Sequence, residues 1–291
     1  MLVRIALAAL LTTFAATGQV AAAAWSPSHV VVVIEENHSY DQIIGNPAAP
    51  FINKLAAEGA LFTDAHGVAH PSQPNYLALF SGAAQGTTGD RAVRGTPLNT
   101  PNLGAALIAG GYTFAGYSES LPQAGSLSIS ARWGYARKHN PWSDWQSETP
   151  GPNRLPASVN QPFKNFPSAF DRLPTVAFVV PDQRHDQHGD GMTSDITLIR
   201  DSDEWLKRNI GDYAAWAATH NSLLIVTWDE DDGDTTVNRI PTIMVGAQVK
   251  PGKYDQRIDH HSVLRMIEDF YGLPRAGASA AAAPITGVIA E

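Results

Sequence analysis

Hydrophobic positions follow two alternating patterns from residue 29 onward. Short continuous apolar runs, such as HVVVVIE at 29–35, are typical of strands buried on both faces of a sheet. Between them, apolar residues recur every three or four positions, which is the spacing of an amphipathic helix. The patterns predict strands over 29–35, 60–64, 112–118, 175–181, 222–230 and 242–249, and helices over 49–59, 102–111, 201–220 and 261–272.

This alternation predicts an α/β fold whose central sheet is mostly parallel and is covered by helices on both faces. The stretch 118–167 does not follow this alternation of strand and helix patterns. It is rich in Trp, Ser, Pro and Asn, and we interpret it as a long insertion over one edge of the sheet. From residue 275 the chain is rich in Ala and Gly, which predicts a flexible tail over 275–291. One domain is therefore expected over 25–274.

The first 24 residues have the layout of a secretory signal peptide. Arg4 precedes an apolar run at 5–16, and small residues follow at 21–24. The run is too short to span a bilayer comfortably, although an uncleaved membrane anchor remains the alternative. The sequence thus predicts export, either to the periplasm or out of the cell.

Composition limits the partners, nucleophiles and metal ligands that the chain can use. The formal net charge is −8, which argues against a nucleic-acid partner, because phosphate backbones attract basic surfaces. An anionic substrate would need a local cation to hold it. The chain contains no cysteine, so disulfides, thiolate nucleophiles and sulfur-ligated metals are excluded. Any metal ion must be held by His, Asp, Glu or Asn.

Polar loops follow several of the predicted strands. Ligands bind beyond the carboxyl ends of the strands in an open α/β sheet, so these loops are expected to meet. Their acids and imidazoles suit zinc, magnesium, manganese, calcium or iron. Ser72 precedes a predicted helix, where the local positive potential would favour an anion. The loops are ENHSYD at 36–41, AHGVAHPSQPN at 65–75, PDQRHDQHGDG at 181–191 and DEDDGD at 229–234.

Single polar residues also have simpler explanations. Ser72 could be a helix cap. We interpret three acids as solvated turn residues and three histidines as surface or boundary residues: Asp231, Asp232, Asp234, His29, His139 and His220. Walker A and HExxH motifs are missing, and the nearest approach to GxSxG, GYSES at 116–120, lacks the second Gly.

The segment VVVVIEENHSYDQIIG at 30–45 resembles the opening of the phosphoesterase family that joins secreted acid phosphatases with phospholipases C. That opening is a strand followed by E-N-x-S-[FY]-D-x-x-x-G. Further resemblance to the acid-phosphatase branch is found in PSQPNY at 71–76, VVPDQRHDQHGDG at 179–191, IVTWDEDDG at 225–233 and DHHSVLRMIEDFYGL at 259–273. The chain departs from the family pattern at Asp182, where Asn is common, and at Gly189, where Asp is common.

The resemblance implies an alkaline-phosphatase-like three-layer α/β/α sandwich and a metal-dependent phosphomonoesterase that works through a phosphoserine intermediate. It implies that Ser72 is the nucleophile and that Asn37 stabilises the phosphoryl group. It implies divalent metal ions of unstated identity, held near Ser72 by Glu36, Asp229 and Glu230 and at a second site by Asp186, His188 and His260. Asp182 and His185 are alternative ligands, and His261 is interpreted as a helix-start residue. Substrate-binding roles fall to Asn37, His70 and Asn75.

The implied substrate is a phosphorylated small molecule or a lipid, with phosphatidylinositol 3-phosphate as a candidate. Trp133, Trp142 and Trp145 in the insertion could touch a membrane surface transiently, or they could pack a lid onto the core. Two other functions stay open: a phosphodiesterase of phospholipase C type, and a secreted binding protein that keeps the fold without catalysis. The sequence does not fix the oligomeric state.

Overall fold

The computed structural model describes residues 25–91, 93–234 and 236–290, and the predicted signal peptide lies outside them. The side chain of Trp133 is also outside the described part of the chain. Among the described residues, no helix combines the length and apolar character needed to cross a membrane.

One sheet of nine strands organises the domain. Eight strands follow the order β4-β3-β5-β1-β6-β7-β2-β8, and β9 pairs with β2. The strands are β1 (His29–Glu35), β2 (Ala60–His66), β3 (Phe114–Ser118), β4 (Asn160–Pro162), β5 (Val176–Val180), β6 (Ser222–Trp228), β7 (Arg239–Val245), β8 (Gly252–Tyr254) and β9 (Ile258–Asp259). The α-helices are α1 (Tyr40–Ile43), α2 (Pro50–Glu58), α3 (Ser72–Ser81), α4 (Leu103–Ala109), α5 (Asp195–Ala217) and α6 (His260–Phe270).

Strand β1 lies between β5 and β6, and both pairings are parallel. Its four consecutive valines are therefore buried on both faces, as their unbroken run predicts. Only β7 runs against its neighbours, β6 and β2, among the strands described. Helix α2 packs against α5, and α3 packs against α6. The prediction of an α/β fold with a mostly parallel sheet is confirmed.

The insertion over 118–167 is part of the domain core. It contributes β4, which extends the sheet beyond β3 in parallel, and several short 3-10 helices. Trp142 and Trp145 are completely buried, and their rings contact Phe80 at centroid distances of 6.5 and 5.6 Å. The idea that these two tryptophans touch a membrane is wrong, because their rings fill the interior instead.

The Ala/Gly-rich tail has contacts that its composition does not indicate. The Ser279 hydroxyl donates to the Glu268 carboxyl group at 2.5 Å, and the Ala276 amide donates to the same group at 2.7 Å. Val288 is fully buried, and its carbonyl accepts from the Lys250 amide at 2.8 Å. These contacts attach the tail to the domain at three residues, and the flexibility of 275–291 stays a prediction.

Candidate active site

Main-chain hydrogen bonds join three of the predicted loops. The amide of Glu36, just after β1, donates to the carbonyl of Asp186 at 2.7 Å. The amide of Asp229, just after β6, donates to the carbonyl of Glu35 at 2.9 Å. The second bond continues the pairing of β1 with β6, and the first ties the loop after β5 to the end of β1. The loops therefore meet beyond the carboxyl ends of neighbouring strands, as expected for this kind of sheet.

Ser72 is the first residue of α3 and is almost fully buried. Its hydroxyl Oγ lies 2.9 Å from Glu230 Oε1 and 3.1 Å from Glu36 Oε2. A hydroxyl carries one hydrogen, so it donates to one of these carboxylates at a time. The residue at the cap position is Pro71, which has no side-chain group to cap the helix. Ser72 is thus turned toward the acids rather than toward the helix amides.

Three carboxylate oxygens beside Ser72 are buried without a hydrogen bond from any described residue. They are Glu36 Oε1, Asp186 Oδ2 and Asp229 Oδ2. The other oxygen of Asp229 accepts from the amides of Glu230 and Asn37, at 2.7 and 3.3 Å. Leaving buried carboxylate oxygens unpaired costs free energy, and proteins normally pair such groups or use them to bind metal ions. The donor set therefore fits a divalent cation.

His139 lies at the centre of this cluster. It is 2% exposed, with Nε2 3.0 Å from Glu36 Oε1 and Nδ1 3.4 Å from Asp186 Oδ2. Tyr76 stacks on the imidazole at a centroid distance of 5.1 Å. The interpretation of His139 as a surface or boundary histidine is wrong. His29 and His220 are partly buried and exposed, respectively, as predicted.

Donor atoms of Glu36, His139 and His188 all lie within 4.8 Å of one another, close enough to share one metal ion. Burial lowers the pKa of His139 well below its ordinary value, and it also lowers the pKa of His188. Both imidazoles are thereby favoured in the neutral form that ligates metals. Glu36 and His188 are among the predicted ligands, whereas His139 is not, because it lies in the insertion and does not follow a strand.

Burial also perturbs the acids. It raises the pKa of Glu36 and of Glu230 to about 7. It raises the pKa values of Asp186 and Asp229 well above the ordinary range, and repulsion from Glu36 adds to both shifts. Acids crowded in this way ionise together only when a cation compensates their charge. The electrostatics thus lead to the same inference as the unpaired oxygens.

Other predicted residues occupy positions around this centre. His260 is buried, and its Nε2 lies 2.6 Å from the carbonyl oxygen of Asp229, so that nitrogen bonds the main chain of the acid loop. Asp182 and His185 instead share a separate ligand-spaced group with Glu119. Arg184 pairs with Asp182 at 2.6 Å. His261 is the second residue of α6, as predicted.

Asn75 supports the loop that carries His70. Its carbonyl oxygen accepts from the amides of Val68 and Ala69, at 2.8 and 3.0 Å. Its amide group donates to the carbonyls of Ala69 and Pro71, at 2.8 and 3.4 Å. Asn75 is completely buried, and these four bonds use all the hydrogen-bonding capacity of its side chain. The structure thus gives Asn75 a positioning task in place of the predicted contact with substrate.

His70 connects two acids at the mouth of the site. Its Nδ1 lies 2.6 Å from Glu230 Oε2, and its Nε2 lies 3.3 Å from Asp231 Oδ1. Asp231 is 2% exposed, so its interpretation as a solvated turn residue is wrong, whereas Asp232 and Asp234 are exposed as predicted. An open pocket of about 480 Å³ lies here, lined by Asn37, His38, His70, Pro71, Gln187, His188, Asp195, Leu198, Glu230, Asp231, Asp232 and Gly233.

Comparison with solved structures gives the fold. A protein of the alkaline phosphatase superfamily from Vibrio parahaemolyticus superposes with a TM-score of 0.61 at 14% identity, covering 86% of this chain and 68% of that one. The C-terminal periplasmic domain of EcEptC from Escherichia coli, in a complex with Zn, gives a TM-score of 0.52 at 13% identity, covering 86% and 84%. This agrees with the predicted alkaline-phosphatase-like sandwich.

Comparison of sequences gives the family. A phosphatidylinositol-3-phosphatase of Mycobacterium tuberculosis is 47% identical over 264 residues, which cover 90% of this chain and 82% of the relative. A probable acid phosphatase of Kluyveromyces lactis is 28% identical, and the match spans 89% of this chain but only 62% of the yeast protein. The sequence model of the phosphoesterase family matches residues 45–274. The chain therefore belongs to the phosphoesterase family and is a phosphoric monoester hydrolase.

Proposed function

We propose that this hydrolase is metal-dependent and uses Ser72 as its nucleophile, forming a phosphoserine intermediate. The observation that carries the proposal is the placement of one buried hydroxyl between two carboxylates, 2.9 Å from Glu230 and 3.1 Å from Glu36. Glu36, Asp186 and Asp229 each have one buried oxygen that accepts no hydrogen bond from a described residue.

Ser279 and Ser202 are also fully buried, but the hydroxyl of each contacts one carboxyl group, that of Glu268 and that of Glu35 respectively. Ser72 differs in lying between two carboxylates of the candidate metal cluster, where metal coordination could activate its hydroxyl.

Glu36, Asp229 and Glu230 would hold a divalent ion beside Ser72. Asn37 follows Glu36 in the loop after β1. His139 and His188 would supply ligands for a second ion, with Glu36 shared between the two sites and Asp186 beside His139. His260 is better assigned to holding the Asp229 loop, since its Nε2 bonds that main chain. When bound, the metal would neutralise phosphoryl charge and lower the pKa of a coordinated hydroxyl.

The protein's own groups then account for the geometry. As Oγ forms a bond to phosphorus, the Ser72 proton passes to solvent, and His70 fixes Glu230 in position through its 2.6 Å contact. The ester oxygen–phosphorus bond breaks, and the departing alkoxide takes a proton from solvent. Asn37 lines the pocket and would donate to a phosphoryl oxygen. Water then cleaves the phosphoserine, releasing phosphate and restoring the hydroxyl.

Ser72→Ala tests the nucleophile. Hydrolysis of p-nitrophenyl phosphate should fall by about 10³-fold or more, with the thermal unfolding transition retained. Ser128→Ala, which changes an exposed serine, is the matched control and should behave as the wild type. A phosphoryl group should be found on the peptide containing Ser72 after rapid acid quenching. Near-normal turnover by Ser72→Ala would remove Ser72 from the mechanism.

Metal removal tests the cation. Protein dialysed against EDTA should lose activity, and titration calorimetry should then detect binding of zinc, manganese or magnesium. Asp229→Asn should weaken that binding, because it replaces a buried acid with a neutral group. Full activity after exhaustive chelation would refute the metal requirement while leaving the serine result intact.

We further propose phosphoinositides as substrates, on the basis of the Mycobacterium tuberculosis relative, and export as the destination of the chain. Phosphate release from phosphatidylinositol 3-phosphate in vesicles, compared with bis(p-nitrophenyl) phosphate, separates monoester from diester activity. A dominant diester activity would favour the phospholipase C type. Amino-terminal sequencing of the exported protein tests the predicted leader.

A further inference from the structure

A lysine reaches the edge of the acidic site from the insertion. Lys138 precedes His139, and its Nζ lies 3.5 Å from His188 Nε2. The side chain of Lys138 is only 16% exposed. His188 lines the pocket beside Glu230 and Asn37. The ammonium group therefore lies beside a histidine of the pocket in which a phosphoryl group attacked by Ser72 would be bound.

Asp90 holds this lysine in place. Its Oδ2 accepts from Lys138 Nζ at 2.7 Å, and its Oδ1 accepts from the amide of Gln73 at 3.1 Å. Gln73 is the residue after Ser72 in α3. One carboxylate thus ties the lysine to the same helix end that carries the nucleophile. Asp90 is a positioning residue in this arrangement.

The charge around Ser72 explains why a cation is needed there. Five buried carboxyl groups lie in or beside the pocket: Glu36, Asp186, Asp229, Glu230 and Asp231. Two divalent ions would balance no more than four of them. A phosphomonoester carries nearly two negative charges at neutral pH because its second pKa is about 6, whereas a phosphodiester carries one. A fixed ammonium group at the pocket therefore favours the monoester more than the diester.

We propose that Lys138 binds the non-bridging oxygens of the phosphoryl group and makes the site select dianionic phosphomonoesters over phosphodiesters. This inference rests on the proposed function, since it takes Ser72 as the point of attack. The alternative, that the lysine serves only to join the insertion to the 83–102 loop, predicts equal losses for all substrates.

The test compares Lys138→Met with Lys138→Arg and with Lys54→Met, an exposed lysine on α2 that serves as the matched control. At pH about 7.5, where the monoester is mostly dianionic, Lys138→Met should lower kcat/KM for p-nitrophenyl phosphate by roughly 10- to 100-fold, as expected for a lost charge-assisted hydrogen bond. The loss for bis(p-nitrophenyl) phosphate should be several-fold smaller. Lys138→Arg should retain most of the preference, and Lys54→Met all of it.

A binding measurement separates this inference from the mechanism. Inorganic phosphate is titrated calorimetrically into metal-loaded Ser72→Ala protein, with and without Lys138→Met, so that no turnover is needed. The lysine substitution should weaken phosphate binding by a similar factor. Unchanged phosphate affinity, or equal losses for both esters, would overturn the role of Lys138 even if Ser72 proves to be the nucleophile. If Lys138→Met does not fold, Lys138→Gln is the second neutral variant.

Discussion

Gly116 on β3 leaves room for the ring of Trp142, and adding one methyl group there should separate the insertion from the sheet. A Cβ built on Gly116 would lie 2.0, 2.2 and 2.3 Å from three atoms of the indole. Such distances are far inside van der Waals contact. The indole itself cannot withdraw easily, because it is fully buried and its Nε1 donates to Asn160 Oδ1 at 3.1 Å.

Gly116→Ala should therefore lower the free energy of unfolding by about 3 kcal/mol or more, at the upper end of what overpacking costs. Gly211→Ala is the matched control. That glycine lies inside α5, where a new Cβ would meet only Phe51 at 3.6 Å, an ordinary contact. Alanine there should stabilise the protein by roughly 0.5–1 kcal/mol through helix propensity.

Both values can be measured by urea unfolding followed by tryptophan fluorescence. Activity provides a second measurement, because Trp142 lies three residues after His139 and a displaced indole would shift the histidine that contacts Glu36. A Gly116→Ala protein as stable and as active as the wild type would refute the view that this segment is built into the core.

Three further substitutions test separate parts of the structure. Burial raises the pKa of Glu268 to about 7, above its unfolded value. The stability that the protonated acid contributes is therefore fully present below pH about 4.5 and is lost as pH rises through 7. Glu268→Gln should remove roughly 1–3 kcal/mol of this pH-dependent loss of unfolding free energy, measured by urea unfolding at pH 5 and 7.5. Asp203 accepts from the amides of Phe51 and Ile52 at 3.1 and 2.7 Å. Asp203→Ala should therefore lower the free energy of unfolding by about 1–3 kcal/mol, measured by thermal unfolding. An unchanged transition would show that this cap of α2 is dispensable. His70→Ala should reduce turnover of p-nitrophenyl phosphate by about 10- to 100-fold with little change in stability, because it removes the 2.6 Å contact that holds Glu230. Unaltered turnover would count against a positioning role for His70.

Periodicity predicted the sheet well because most of its strands are buried on both faces. Strand β1 begins and ends where the apolar run does, and α2 and α6 lie within a residue or two of their predicted bounds. Helix α5 starts at Asp195, six residues earlier than predicted, and its first turns already bury Leu198 and Ile199. The short strand β4 has no apolar signal, since pairing alone defines it.

The site was predictable where its residues follow strands, as Glu36 and Asp229 do. His139, Lys138 and Asp90 come from the insertion and from the loop after α3, where periodicity says nothing about position. Their placement depends on the burial of Trp142 and Trp145, which brings the insertion down onto the sheet. Asp231 was misread for a similar reason, because its burial depends on His70, a residue 161 positions earlier in the sequence.

The two main-chain bonds that join Glu36 to Asp186 and Asp229 to Glu35 have a consequence for how this protein could diverge. Since neither bond involves a side chain, both would survive an exchange of the Glu36 side chain. Descendants could thus acquire a different ion preference at that position while these loops stay joined.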